Sequence, residues 1–274
     1  MKKFFKWFFI ISSILILSIL IGLGFYVSSV YSNAKKLKLN EETLSLQSLK
    51  INIYDNDNNL INEDNEIDKN YKSIDNINEN TKNAFISTED KNFYNHKGIS
   101  YKRIIKAGIN NIRYRKLKEG ASTITQQLVK NTFLSSEKTF ERKIKEIALA
   151  QKIENRFTKD QILEKYLNVI YFGNSCYGIE NASNYYFSKS AKDLSLEEAS
   201  LLAGVIKSPS RYSPIKKSEN CLKRRNLVLN EMYKDGKISL VDYTKAKNKK
   251  ISLNINNSVK NKLNSFSQAS IDEA

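Results

Sequence analysis

The sequence predicts a mainly α-helical protein with an N-terminal helix that spans a membrane. Three observations support this: a long uncharged run near the N-terminus, capped apolar-periodic runs after residue 76, and few glycines and prolines. With 9 Gly and 2 Pro, the chain lacks the turn residues of an all-β fold. Hydrophobic residues form 41% of the chain, enough to bury a sizeable core.

The first element is the uncharged run at residues 7–34, which follows three lysines near the N-terminus. A membrane-spanning helix needs roughly 20 apolar residues, whereas the apolar part of a signal peptide has about 7–15. We therefore interpret residues 1–34 as a cytoplasmic tip and a transmembrane anchor. The short lysine-rich flank favours a cytoplasmic N-terminus, with the remaining chain outside the membrane.

Residues 35–75 form a polar linker rich in Asn, Asp and Lys. Apolar and polar residues alternate at 51–54 and a turn follows at 55–59, which predicts a β-hairpin. The acidic residues of this turn imitate a calcium loop. However, Leu60 occupies the position where that loop requires glycine, so a plain turn is the better interpretation.

The helical signals lie within residues 76–235. Capping boxes at 158–161 and 195–198 each open an apolar-periodic run, and Ser100 can cap a further helix. Residues 236–274 are polar, and we expect this C-terminal tail to fray from about residue 245.

The charge and the cysteine content restrict the function. There are 45 basic and 29 acidic residues, a net charge of +16, which favours anionic partners such as phosphate, nucleic acid or acidic lipid. Two cysteines and the single His96 exclude a disulfide framework and a His-rich metal site. A basic amphipathic stretch at 104–119 fits either a membrane surface or a solvated helix at the edge of the core.

The first candidate site is the segment 89–98, where Glu89 and Asp90 stand beside aromatic residues. Paired carboxylates in apolar surroundings suit general acid–base chemistry. The simpler interpretation is a solvated pair at the end of a helix, with His96 as a structural hydrogen-bonding residue.

The second candidate segment, 120–131, begins with glycine and continues with Ser122 and the start of a helix. Free backbone N–H groups at such a start suit an anion, and Gln126 and Gln127 can bond sugar hydroxyls. A capped helix with a polar face is the alternative.

The third candidate segment places Lys138, Arg142 and Glu146 four residues apart, on one face of a helix. These residues form either an ordinary surface ion pair or a phosphate site whose cations Glu146 orients.

Five segments in this order resemble the peptidoglycan glycosyltransferase domain of glycosyltransferase family 51. Monofunctional transglycosylases share this domain with the N-terminal half of class A penicillin-binding proteins. The matching segments are 89–98, 120–127, 142–146, 162–173 and 224–229. The resemblance covers roughly residues 76–235. Lys138 departs from it, because family members often carry Arg there; the charge is kept but the bidentate fork is lost.

The resemblance implies a mainly α, lysozyme-like large lobe with a smaller membrane-associated jaw. It also implies polymerisation of lipid II into β-1,4-linked glycan strands, with inversion and release of undecaprenyl pyrophosphate. By similarity, Glu89 is the general base that takes the proton from the acceptor's 4-hydroxyl. Glu146 is the second catalytic residue, positioning the cations or the leaving group.

The resemblance further implies a set of substrate-binding residues. They are Asp90, Ser122, Gln126, Gln127, Lys130, Lys138, Arg142 and Lys145. No metal ligands are predicted and no cofactor is certain, although Mg²⁺ or Mn²⁺ is compatible with a pyrophosphate. The expected partners are lipid II, the growing strand, the cell membrane and other cell-wall synthesis proteins, but not nucleic acid.

Two other functions compete with this prediction. A lysozyme-like lytic hydrolase would use a catalytic Glu without needing a phosphate-binding cluster. An anchored basic protein that binds polyanions would need no Glu89. A transpeptidase activity is not supported, since the two Ser-x-x-Lys patterns at 135–138 and 213–216 lie within the resembling region. The sequence leaves open whether the protein is monofunctional or part of a bifunctional one.

Overall fold

The computed structural model describes residues 2–39, 44, 70–114, 120–135 and 137–256. Within them the regular structure is helical, apart from one antiparallel bridge between Tyr171 and Tyr177. The predicted mainly α fold is therefore confirmed. The candidate hairpin and the calcium-like turn lie outside the described residues.

The described part contains ten α-helices. They are α1 (Lys2–Lys36), α2 (Glu79–Glu89), α3 (Tyr101–Tyr114), α4 (Ile124–Phe133), α5 (Phe140–Glu154), α6 (Lys159–Val169), α7 (Ile179–Phe187), α8 (Leu196–Val205), α9 (Ser218–Lys234) and α10 (Leu240–Asn248). Short 3₁₀ turns occur at Ile74–Asn76, Phe93–Asn95 and Ala191–Asp193.

Helix α1 is long and apolar enough to cross a membrane, and none of its most apolar 18-residue window is buried in the protein. Apart from the partly buried Ser12, burial is confined to its second half, where Val27, Tyr31 and Ala34 face the rest of the chain. These positions are three or four residues apart and share one helical face. The helix thus has a free first half and a docked second half, which packs along α5.

The core is built around α8, which packs against both α2 and α9. Every residue of α8 from Ala199 to Val205 is buried, as expected for a helix that is apolar on all sides. Next to it, the rings of Phe85, Tyr166 and Phe172 make edge-to-face contacts at centroid distances of 6.0–6.3 Å. Helix α4 packs between α5 and α6 on the other side.

The helix starts follow local sequence signals. The predicted capping box at Thr158 is present: the Thr158 hydroxyl oxygen accepts the Gln161 N–H at 3.3 Å, and Gln161 Oε1 accepts the Thr158 N–H at 2.9 Å. Glu198 Oε2 accepts the Ser195 N–H at 2.9 Å in the second predicted box. Helix α3 begins at Tyr101, directly after Ser100.

The folded chain continues beyond residue 235, through α10 and then through residues 250–256, which we call the strap. The fraying expected from residue 245 is not seen at 245–256. The strap N–H groups of Asn254 and Asn256 donate to the carbonyls of Tyr186 and Tyr185 at 3.0 and 2.9 Å, satisfying acceptors at the C-terminal end of α7. The domain boundary at 235 stays a prediction.

Both cysteines are buried and free. Burial raises the pKa of the Cys176 thiol to about 12. It has the same effect on Cys221, whose pKa is also about 12 although Arg225 opposes the rise. Both thiols therefore stay protonated and unreactive at neutral pH.

Candidate active site

Glu89 is the last residue of α2. Two buried residues one turn before it, Phe85 and Ile86, hold this end of the helix in the core. The carboxylate is only partly accessible, since Glu89 is 8% exposed. Gln127 Nε2 donates to its Oε2 at 2.9 Å, and Arg224 Nη2 lies 3.8 Å from its Oε1.

The amide of Gln127 has a defined orientation. The hydroxyl of Tyr166 donates to Gln127 Oε1 at 3.2 Å, so the amide nitrogen is left to face Glu89. Burial, with the nearby charges of Glu89 and Asp90, raises the pKa of Tyr166 well above its usual value. The phenol therefore stays protonated and remains a donor, which fixes the order of this hydrogen-bonded chain.

Asp90 is held by three donors from different parts of the chain. His96 Nε2, Arg103 Nη1 and the backbone N–H of Ile124 bond its carboxylate at 2.8, 3.0 and 3.0 Å. Gly98 N–H donates to His96 Nδ1 at 3.1 Å, so Nε2 carries the ring proton that faces Asp90. A fully buried carboxylate would be costly without such partners.

The two adjacent carboxylates thus bind the same turn of α4. Asp90 accepts from the first N–H of that helix, at its positive end, and Glu89 accepts from Gln127 three residues later. Because the two contacts lie on one turn, the C-terminal end of α2 is locked to the N-terminal end of α4.

Gly98 lets the connecting loop pass close to α5. It has φ of +83°, and a Cβ atom there would lie 3.1 Å from the backbone of Ala150. Its carbonyl accepts the Thr123 hydroxyl at 2.7 Å, and Thr123 also caps α4 in a box with Gln126. Glycine is thus required by both backbone conformation and space.

A cluster of charges lies on α5, next to the start of α4. Glu146 is 2% exposed and is bound by Arg142 Nη1 at 3.1 Å and by Lys143 Nζ. Lys143 Nζ also donates to Ser122 Oγ at 2.8 Å. We call Arg142, Lys143 and Glu146 the basic cluster; its formal charge is +1, and the buried Nε of Arg142 has no partner among the described atoms.

Helix α4 therefore joins the two parts of the site. Ser122, before its first turn, contacts the basic cluster, and Gln127 contacts Glu89. A carboxylate able to accept a proton and fixed cations able to neutralise an anion thus lie at one helix.

The remaining predicted residues lie less centrally. Gln126 is buried, and its Oε1 accepts the Thr123 N–H in the capping box at 3.0 Å. Lys130 and Lys138 are exposed. Lys145 lies on another face of α5, where its Nζ is 2.7 Å from Glu141 Oε1. Their predicted roles in substrate binding stay predictions.

Sequence reasoning assigned no role to four residues that the structure places at the site: Arg103, Lys143, Tyr166 and Arg224. Lys143 precedes Glu146 by three residues, a helical spacing that pairs charges as well as the four-residue one does. Arg224 was part of the fifth segment, whose neighbouring residue Arg225 is buried and instead donates to the Lys247 carbonyl at 2.9 Å.

The fourth segment, residues 162–173, contributes to the fold. Glu164 accepts from the Tyr71 hydroxyl and the Ile74 N–H, both at 2.7 Å. Asn168 bonds both backbone groups of Lys72, at 2.8 and 2.9 Å. This segment therefore clamps the chain that leads into α2.

Within the described ranges, no group of three or more His, Cys, Asp or Glu residues could hold a metal ion. The contacts that suit an anion come from Arg and Lys side chains.

A family model described as "Transglycosylase" matches residues 57–233. The chain belongs to the transglycosylase family. The resemblance inferred from the five segments is thereby confirmed.

Several curated relatives of this transglycosylase chain are penicillin-binding proteins. It is 42% identical to penicillin-binding protein 1A of Aquifex aeolicus over 246 residues, which is 90% of this chain and 34% of that protein. Identity to penicillin-binding protein 1F of Bacillus subtilis is 44% over 67% of the chain and 26% of the relative. Identity to penicillin-binding protein 1A of Clostridium tetani is 45%, over 71% of this chain and 26% of that protein.

The chain spans about a third or less of the length of these relatives. Among solved structures, penicillin-binding protein 1A from Haemophilus influenzae is similar, with 23% identity and a TM-score of 0.42 over 68% of this chain and 18% of that one.

Proposed function

We propose that this chain is a peptidoglycan glycosyltransferase that polymerises lipid II into β-1,4-linked glycan strands. The observation that carries the proposal is the connection through α4 between the partly buried Glu89 and the basic cluster. Displacement of a lipid-linked diphosphate by a sugar hydroxyl needs a base at the hydroxyl and fixed cations at the leaving group.

In this mechanism Glu89 takes the proton from the 4-hydroxyl of the acceptor N-acetylglucosamine. The resulting oxygen attacks the anomeric carbon of the donor N-acetylmuramic acid. The bond between that carbon and the diphosphate oxygen breaks, and its electron pair leaves with undecaprenyl pyrophosphate. A single displacement inverts the configuration, as in inverting glycosidases, with a sugar hydroxyl in place of water.

The basic cluster stabilises the negative charge that develops on the leaving diphosphate. Arg142 and Lys143 supply the cations, and the buried Glu146 holds both in position. Asp90 acts as a positioning residue for Glu89, because its oxygens bond donors of the protein itself. Mg²⁺ or Mn²⁺ at the diphosphate stays a prediction.

We place this reaction at the outer face of the cell membrane. Helix α1 crosses the bilayer once with its N-terminus in the cytoplasm, and the catalytic domain is extracytoplasmic. Helix α3 adds a second contact, since its apolar residues Tyr101, Ile105 and Ile109 are 60–67% exposed. The partners in this setting are lipid II, the growing strand and other cell-wall synthesis proteins.

The deciding experiment supplies labelled lipid II to the purified full chain in detergent. We expect long glycan strands, and a loss of at least about a hundredfold in rate for Glu89→Gln, the usual contribution of a general base. Glu79→Gln is the matched control, since Glu79 lies at the exposed start of the same helix.

Other outcomes favour the competing functions. Shortening of pre-made glycan would identify a lytic hydrolase. Binding of anionic polymers without turnover would identify a polyanion-binding protein. Near-normal polymerisation by Glu89→Gln would remove the base assigned here.

A further inference from the structure

The docked half of α1 lies beside α5, the helix that carries the basic cluster. The Tyr26 hydroxyl lies 3.5 Å from Glu141 Oε2, and the Tyr31 hydroxyl bonds Gln151. The contacts advance along both helices in the same direction, so the two helices run parallel.

The end of α1 is also held by α5. Lys152 Nζ donates to the backbone carbonyls of Lys35 and Leu37 at 2.8 and 2.5 Å, and Ala34 is 1% exposed. These are carbonyls that a helix terminus leaves without intrahelical partners. The positive charge of Lys152 also interacts favourably with the negative, C-terminal end of the α1 helix dipole. Thus α1 is fixed to the catalytic domain and is not a loose tether.

The free half of α1 has the length of a bilayer core. Residues 7–25 are uncharged and almost all exposed, with Phe25 at 74%. At 1.5 Å per residue these 19 residues span about 28 Å, close to the roughly 30 Å of a typical hydrocarbon layer. The part of α1 that packs on α5 therefore begins at the edge of the hydrocarbon layer.

Residues at the junction of α1 and α5 mark the same level. Tyr26 lies at the boundary, and Phe140 at the start of α5 is 62% exposed. Lys138, just before it, is exposed as well. Aromatic residues are enriched at the membrane–water interface, and cations there face anionic headgroups.

The basic cluster lies just above that level. Glu146 follows Glu141 by five residues, about 8 Å along the helix axis, and Arg142 and Lys143 are nearer still. The headgroup layer on each side of a bilayer is roughly 5–8 Å thick. The cluster is thus at the depth of the phosphate groups of lipids.

We propose that the docked pair of α1 and α5 sets the height of the basic cluster in the headgroup layer, so that it meets the diphosphate of a lipid-linked sugar. This inference rests on the proposed function. The quantity that matters is the length of the free half of α1, because this length sets the distance between the basic cluster and the opposite membrane surface.

The test changes that length in the full chain. One variant carries seven extra leucines between Leu17 and Ser18, two helical turns or about 10 Å. The matched control replaces residues 14–20 by seven leucines and keeps the length. Polymerisation of lipid II is measured in detergent and in vesicles whose acyl chains give a series of bilayer thicknesses.

We expect equal rates for all three proteins in detergent, where no bilayer sets a height. In vesicles, the wild type and the control should share one optimal thickness. At that thickness the polymerisation rate of the lengthened variant should be at least about fivefold lower. Its rate should be highest in thicker bilayers, as hydrophobic matching requires. The double variant Tyr31→Phe/Lys152→Met, which loosens the docking, should depend less on thickness.

The inference is overturned if the lengthened variant peaks at the same thickness as the wild type, or is inactive in every bilayer while active in detergent. Failure of the wild type to polymerise lipid II in detergent would refute the proposed function instead. The two failures are therefore distinguishable.

Discussion

Lys143 and Lys145 are two residues apart on α5 and point to different surroundings. Lys143 bonds Ser122 and Glu146 at the site, whereas Lys145 pairs with the exposed Glu141 near α1. Side chains two positions apart on a helix do not share a face. Their equal charge therefore does not make them equivalent.

Alanine substitutions should separate these two lysines. We expect Lys143→Ala to lower the polymerisation rate about tenfold to a hundredfold, because a fixed cation is lost at the developing charge. Lys145→Ala should cost less than about threefold. Initial rates with labelled lipid II in detergent measure both, and equal losses would contradict the placement of the basic cluster.

At the scale of elements, the connection between α6 and α7 depends on a close backbone approach. Gly178 has φ of +80°, and its N–H donates to the Ile170 carbonyl at 2.9 Å. A Cβ atom there would lie 2.6 Å from the Asn168 carbonyl oxygen. Asn168 belongs to the clamp on the chain that enters α2, so the two contacts meet at one residue.

We expect Gly178→Ala to lower the free energy of unfolding by more than about 2 kcal/mol, from backbone strain and overlap together. The matched variant is Gly236→Ala, where φ is +66° but nothing lies within 4 Å of the added atom. That change should cost only about 1 kcal/mol. Thermal unfolding in detergent compares them, and a smaller loss at Gly178 would contradict the geometry.

Local sequence signals predicted the elements well. The start of α3 after Ser100 and the capping box at Thr158 depend on residues within one turn, so a single sequence contains all the information. The uncharged run likewise predicted α1. Its docking on α5 was not predicted, because that contact joins residues more than 100 positions apart.

Only part of the site could be predicted, because a single sequence does not show which distant residues come together. Glu89 and Glu146 could be chosen from their segments and from the family resemblance. The partners Arg103 and Arg224 come from other helices, and only the tertiary structure brings them to the carboxylates of Asp90 and Glu89. The prediction of a frayed tail was wrong for the strap, because it rested on the polar average composition. That average does not show the three apolar residues at alternate positions.

At the scale of the whole molecule, the strap closes one side of the core. Its apolar residues Ile251, Leu253 and Ile255 pack against the buried cluster, and the residues between them face outward. An extended segment alternates its side chains in this way. The strap thus covers the end of α7 with both apolar and hydrogen-bonding contacts.

Leu253→Ser should lower the free energy of unfolding by about 1–2 kcal/mol, because apolar contact with the core is lost. Ser252→Ala, on the exposed side of the same strap, should change it by less than about 0.5 kcal/mol. Thermal unfolding of both proteins in one detergent gives the comparison. Equal stability of the two variants would indicate that the strap does not support the core.

The hydrogen bond from Gln127 makes the two oxygens of Glu89 unequal. Oε2 is engaged, and Oε1 faces Arg224 at 3.8 Å, so under the proposed function Oε1 is the atom that receives the proton. We therefore expect the acceptor hydroxyl to approach Glu89 from the side of Arg224. Because the same oxygen accepts the proton at each addition, the same acceptor hydroxyl is activated every time, and the position of the linkage stays uniform along the strand.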